Sequence, residues 1–175
     1  QARYVIIDPA TSKPQADEHS IMMCYVIDCI PIARALEHGV FTPMQTIEVT
    51  IKMCLKYGCP VVFVESVAYQ ATLLFWFKYI MDQMKLTGIS LIEAYPGSTS
   101  KIARILTSFK QLSVQEVLLH PDVYPSYSSE AVAFNPLKAD NRDNVLDAVH
   151  YLPVLLVKHS DMLLELYGRH VYDVG

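Results

Sequence analysis

The chain has 175 residues, 52% of them hydrophobic and 18% charged, with a formal net charge of −4. That length and apolar share suit one folded domain and exclude a disordered or collagen-like chain, only 6 Gly and 10 Pro being spread along it. No apolar run approaches the roughly 18 residues of a membrane span, 152–157 being the nearest, and the acidic balance argues against an autonomous binder that neutralises many phosphates.

Gln1-Ala2-Arg3 runs straight into an apolar stretch with no signal-peptide pattern, an abrupt start that predicts an excised domain. Residues 4–7 form a wholly apolar run, as expected for a strand buried on both faces, ending at Asp8-Pro9 and followed by a polar loop over 10–18. Strands are predicted over 21–27 and 30–38, with a turn at Asp28-Cys29 and an end at Gly39. Three successive strands imply an antiparallel meander. Thr42-Pro43 supplies an N-cap and a first-turn proline, Ile47, Ile51, Cys54 and Leu55 repeat at helical spacing, and Gly58 ends that helix. Residues 61–64 are again wholly apolar and end in an acid, Glu65.

A long helix is predicted over 69–86, with the aromatic stripe Phe75, Trp76, Phe77 and Tyr79 assigned to the core. A strand over 89–94 and a helix over 98–109 follow, then a weak strand over 114–119. The two prolines, two tyrosines and three serines of 120–129 predict an exposed loop, and 131–136 carries no clear pattern. A helix is expected over 140–152, broken or restarted at Pro153, with a last helix to about Gly168. The order predicts a three-layer α/β domain with an antiparallel start and parallel crossovers afterwards.

Cys24 and Cys29 are five apart, as are Cys54 and Cys59, which mimics two metal-ligand pairs. Cys24 lies in a strand and Cys54 in a helix, so neither pair sits on a tight zinc knuckle, and buried free thiols are expected instead.

The acids are more informative. Val5-Ile6-Ile7-Asp8 and Val62-Phe63-Val64-Glu65 share one shape, three apolar residues and then a carboxylate. Ligands of open α/β sheets gather beyond the carboxyl ends of strands, so two parallel neighbours would bring Asp8 and Glu65 to one edge. Asp140, Asp143 and Asp147 are spaced to share a helix face, opposite Val145, Val149, Leu152 and Leu156. Oxygen-only ligands suit Mg²⁺ or Mn²⁺, and two such ions would clamp a phosphodiester during in-line displacement.

Four segments together, Tyr4-Val5-Ile6-Ile7-Asp8-Pro9-Ala10, Val61-Val62-Phe63-Val64-Glu65, Lys101-Ile102-Ala103-Arg104-Ile105 and Asp143-Asn144-Val145-Leu146-Asp147-Ala148, resemble the nuclease domain of the large terminase subunit of tailed bacteriophages. The match runs in order from about Arg3 to Tyr151. The resemblance implies an RNase H-like fold in which the first strand neighbours the fourth. It also implies metal-dependent endonucleolytic cutting of concatemeric double-stranded DNA during genome packaging. Asp8, Glu65 and Asp143 would be the catalytic acids, and these three with Asp147 the ligands of two divalent cations, Mg²⁺ or Mn²⁺.

Lys101 and Arg104 match the family's Lys-x-x-Arg segment, which would hold DNA phosphates. Members of that family often carry two adjacent acids where this chain has Asp143-Asn144, and a neutral Asn144 would lower metal affinity. Asp17, His19 and His150 are accessory candidates near the rim. The resemblance further implies one nuclease domain over 1–175, with an RNase H-like core at 3–152 and a helical extension at 153–175. Its partners would be double-stranded DNA, an ATPase domain of the same full-length protein, the portal and the small terminase subunit, with no membrane, in the host cell cytoplasm. No Gly-x-x-x-x-Gly-Lys-Ser/Thr loop is present, so the packaging ATPase is not in this chain. Two rivals share the pattern: another RNase H-like nuclease such as a junction resolvase or transposase core, and a non-catalytic protein-interaction module.

Overall fold

The computed structural model describes residues 1–9, 18–65, 70–138 and 141–172. Its centre is a six-stranded mixed sheet in the order β5-β4-β1-β2-β3-β6. β1 (Arg3–Asp8) runs antiparallel to β2 (His19–Ile27), which runs antiparallel to β3 (Ile30–Gly39). The hairpin between β2 and β3 turns on Asp28 and Cys29, both at positive φ, the backbone that a two-residue hairpin loop of matching twist requires. β4 (Val61–Glu65) pairs with β1 in parallel, and β5 (Ser90–Ala94) with β4 in parallel. At the other edge β6 (Leu118–Leu119) adds two residues parallel to β3, shorter than the strand expected over 114–119.

Apolar residues alternate across the sheet into two cores, which makes the domain three-layered. α1 (Pro43–Tyr57) and α2 (Gln70–Gln83) cover one face through Ile47, Ile51, Leu73 and Phe77. On α1 the Thr42 hydroxyl accepts from Gln45 N while the Gln45 side chain accepts from Thr42 N, and Gly58 closes the helix in the left-handed region. α3 (Lys101–Ser113), α4 (Tyr124–Ala133), α5 (Asn144–Lys158) and α6 (Ser160–Tyr172) cover the other face. The expected architecture, a mixed α/β sheet with an antiparallel start, the first strand beside the fourth and helices on both faces, is the one found.

Three further local expectations differ. The stretch 120–129 is largely helical: Pro125 falls in the first turn of α4, where a missing N–H costs nothing, and Tyr127 and Glu130 are buried. Pro153 lies inside α5, which continues to Lys158 because its buried face, Val149, Leu152 and Leu155, holds the helix across the proline. On α2 only Phe77 of the aromatic stripe is core; Phe75, Trp76 and Tyr79 are exposed and stack edge-to-face on one another at 5.5 and 5.7 Å. The sheet takes one narrow arc of α2, and those three rings lie off it.

The four cysteines are free, with Cys24, Cys54 and Cys59 buried. No helix among the described residues is long and apolar enough to cross a membrane.

Candidate metal centre

Asp8 ends β1 and Glu65 ends β4, and the parallel pairing of Ile7 with Val64 sets the two acids side by side at the carboxyl edge. α5 packs across the same sheet and delivers Asp147 from its first turn. One carboxylate oxygen from each of Asp8, Glu65 and Asp147 lies within 4.8 Å of the others, and all three residues are buried.

Two cations from α3 face these acids. Arg104 binds both oxygens of Asp147, Nε donating to Oδ1 at 2.9 Å and Nη2 to Oδ2, and Nη2 lies 3.7 Å from Glu65 Oε1. Lys101 Nζ pairs with Asp143 Oδ1 at 2.8 Å and donates to Asn144 Oδ1 at 3.3 Å. Burial works against both charges. Asp147 nonetheless raises the Arg104 pKa, and Asp8 and Asp143 hold the Lys101 ammonium above its ordinary value.

Asp8 is the acid left short of partners. Its Oδ2 is buried and has no hydrogen-bond partner among the described residues. Burial, and then the Glu65 charge beside it, push its carboxyl well above the usual carboxylate range, with Lys101 pulling the other way. Fully ionised, Asp8, Glu65, Asp143 and Asp147 outnumber Lys101 and Arg104 by two charges, the charge of a divalent cation. An orphaned buried oxygen, a hard all-oxygen donor set and that imbalance fit a divalent metal.

The other predicted site residues are more dispersed. Asp143 precedes α5 as its N-cap residue and its side chain makes no capping bond; like Asp147 it faces a cation of α3, Lys101 for Asp143 and Arg104 for Asp147. Asn144 donates through Nδ2 to Glu18 O at 2.9 Å, which ties the start of α5 to the start of β2. His19 is buried with Nδ1 3.2 Å from Thr46 Oγ1 on α1. His150 packs beside the Arg104 backbone, where burial lowers its pKa. Asp17 and Asp140 lie outside the described residues.

Two contributors went unnoticed in the sequence. Tyr151 donates its hydroxyl to Glu65 Oε1 at 2.7 Å and lies under the Arg104 guanidinium at 5.7 Å. Its position four after Asp147 was the available signal, because such residues share a helix face. Glu130 of α4 was hidden in a stretch without periodicity. Its Oε2 accepts from Val145 N at 2.9 Å and Leu146 N at 3.2 Å, so it caps α5 where Asp143 does not.

Burial pushes the Glu130 carboxyl up to about 7, against the pull of the two amide donors. The folded chain therefore keeps a proton that the unfolded chain releases near pH 4.5. Stability falls as pH rises between those values, and the whole cost is present above about pH 7. Glu130→Gln keeps an oxygen for both amides and cannot ionise. It is expected to flatten that slope and add about 2 kcal/mol to the unfolding free energy near pH 8, read by urea denaturation across pH. Identical profiles for variant and parent would contradict this.

No known protein family matches the sequence, and no curated protein does. Among solved structures, the human cytomegalovirus terminase nuclease domain, manganese-soaked and inhibitor-bound, superposes with a TM-score of 0.64 at 12% identity, over 87% of this chain and 82% of that one. The large terminase of a thermophilic bacteriophage gives 0.56 at 17% identity, over 89% of this chain and 40% of that one. The fowlpox virus Holliday junction resolvase gives 0.52 at 13% identity, over 91% of this chain and 99% of that one. The chain has the fold of the terminase nuclease domains, which the resolvase shares.

Proposed function

We propose that this chain is a metal-dependent endonuclease that hydrolyses phosphodiesters of double-stranded viral DNA, as the nuclease domain of a packaging terminase. The observation that carries the reading is the convergence of Asp8, Glu65 and Asp147, from three separate elements, within 4.8 Å. Asp8, Glu65 and Asp147, with Asp143 as the fourth acid, would hold two divalent cations, Mg²⁺ or Mn²⁺. Such ions supply Lewis acidity at the scissile phosphate and an activated water.

The chain's own groups do the rest. Tyr151 fixes the orientation of Glu65, and Glu130 fixes the start of the helix that carries Asp147. Lys101 and Arg104 offer charge to the phosphate and its neighbours without reading base sequence. In this reading 1–175 is one nuclease domain, with its core at 3–152 and a helical extension at 153–175. Its partners are double-stranded DNA, the ATPase domain of the same full-length protein, the portal and the small terminase subunit, in the host cytoplasm.

A junction resolvase is the second reading, favoured by the match to nearly the whole fowlpox enzyme. Supercoiled plasmid, linear duplex and a four-way junction incubated with Mn²⁺ test both. Nicking of plasmid and duplex that stops in EDTA is expected. Preferential cutting of the junction would favour the second reading. No cutting of any substrate, with no heat of Mn²⁺ binding by calorimetry, would sink both.

A further inference from the structure

Away from the acids, Arg3, Arg34 and Lys56 surround a cavity of about 400 Å³ whose wall includes Met23, Tyr25 and Tyr57. Arg3 pairs with Tyr25 at the end of β1 opposite the Asp8–Ser20 pair, about 17 Å away along an extended strand. This cavity is therefore separate from the metal centre.

Its cations are aimed by the fold. Met23 pairs with Ala35 and Cys24 with Ala33, so Arg34 is an extra residue in the β2–β3 ladder. A bulge of this kind turns a side chain out of the normal alternation. The Arg34 guanidinium lies 5.8 Å from the Tyr57 ring centroid, and the Lys56 ammonium lies 5.1 Å from the same centroid. One aromatic ring thus serves two cations, whose mutual repulsion it only partly offsets. Arg3 is committed otherwise, with Nη1 donating to Tyr57 O at 2.9 Å at the end of α1.

Compensating negative charge is scarce. No carboxylate is among the residues of the cavity wall. Asp122 takes Arg34 Nη1 at 2.9 Å but is 66% exposed, so water screens that pair. Lys56 has no ion pair among the described residues, in a chain whose formal net charge is −4. A planar guanidinium fork beside an ammonium point charge suits the several oxygens of a phosphate group.

We infer that this cavity binds phosphate, with Arg34 and Lys56 as the donors and Tyr57 as their platform. A free di- or triphosphate and the backbone of a nucleic acid present the same chemistry, and two probes separate them. Calorimetry of the intact chain with inorganic pyrophosphate, at low salt and without divalent metal, should give one site with a dissociation constant below about 1 mM.

Arg34→Gln with Lys56→Gln should weaken that binding at least about tenfold. Lys56→Gln alone, at an exposed side chain, should weaken it several-fold with the thermal midpoint unchanged to within about 2 °C. Lys101→Gln, at the metal centre, should leave it intact. If a short DNA duplex loses affinity in the double variant as well, the phosphate belongs to a nucleic acid. If duplex binding holds while pyrophosphate binding falls, it belongs to a free phosphate ester. No binding of pyrophosphate at millimolar concentration, equal binding by the double variant, or loss only in Lys101→Gln would overturn the assignment.

Discussion

Asp8→Asn is expected to lose Mn²⁺-dependent cleavage by on the order of 10³-fold, about 4 kcal/mol of transition-state stabilisation, while melting no lower than the parent chain. The two halves have one cause. Asp8 is a buried carboxyl with an orphaned oxygen, pushed up by desolvation and by Glu65. Ionising it beside two other acids is costly without a metal, and that cost rises with pH because the folded chain holds the proton more tightly than the unfolded one. Asparagine keeps the shape and removes the charge, so the metal-free fold is relieved while the hard anionic ligand is lost. Cleavage of supercoiled plasmid and a thermal melt, both near pH 8, read the two effects. Full-rate nicking by the variant would refute the assignment of Asp8, and a melt far below the parent would make the loss of activity structural.

Arg104→Met is the second large effect. Arg104 is buried, binds both oxygens of Asp147 and lies 3.7 Å from Glu65. Removing it leaves two buried carboxylates without their cation, which costs about 3–5 kcal/mol when one partner of a buried pair is deleted. For a chain of this length that is a drop of roughly 10 °C in the metal-free midpoint. Saturating Mn²⁺ should recover more of the midpoint in Arg104→Met than it adds to the parent, because the ion would then supply charge that Arg104 supplies in its absence. A variant that melts with the parent, or that gains nothing extra from Mn²⁺, would show that Arg104 is not the counter-charge of this centre.

The same charge logic separates Arg104 from Lys101. Lys101 pairs with Asp143 at the N-cap of α5, reaches Asn144 and lends its charge to Asp8, whereas Arg104 sits against Asp147 and Glu65. Where a second acid would stand after Asp143, Asn144 instead joins Lys101 to the Glu18 carbonyl. The neutral amide is thus a structural link, and Asp147, one turn further on, brings the third carboxylate to the cluster.

Much of this is legible in the sequence. Wholly apolar runs ending in acids announced β1 and β4, since a strand buried on both faces tolerates a carboxylate only at its end. The N-cap, first-turn proline and closing glycine bounded α1 nearly to the residue. What failed was composition read without context. The prolines and serines of 120–129 suggested a loop, the aromatics of α2 suggested core, and Pro153 suggested a break. In each case the outcome depended on whether a neighbouring surface took up the segment.

The chain's order and periodicity determined the sheet, its layering and the positions of Asp8 and Glu65, because strand burial and strand ends are local properties of a few consecutive residues. Only the tertiary structure decided which helix-borne acid joins them, that Arg104 rather than Lys101 answers Asp147, and that Tyr151 and Glu130 support the centre. Those facts depend on the angle at which α5 crosses the sheet and on what α3 and α4 present to it. Packing between elements distant in sequence sets such relations, and no spacing within one element records them.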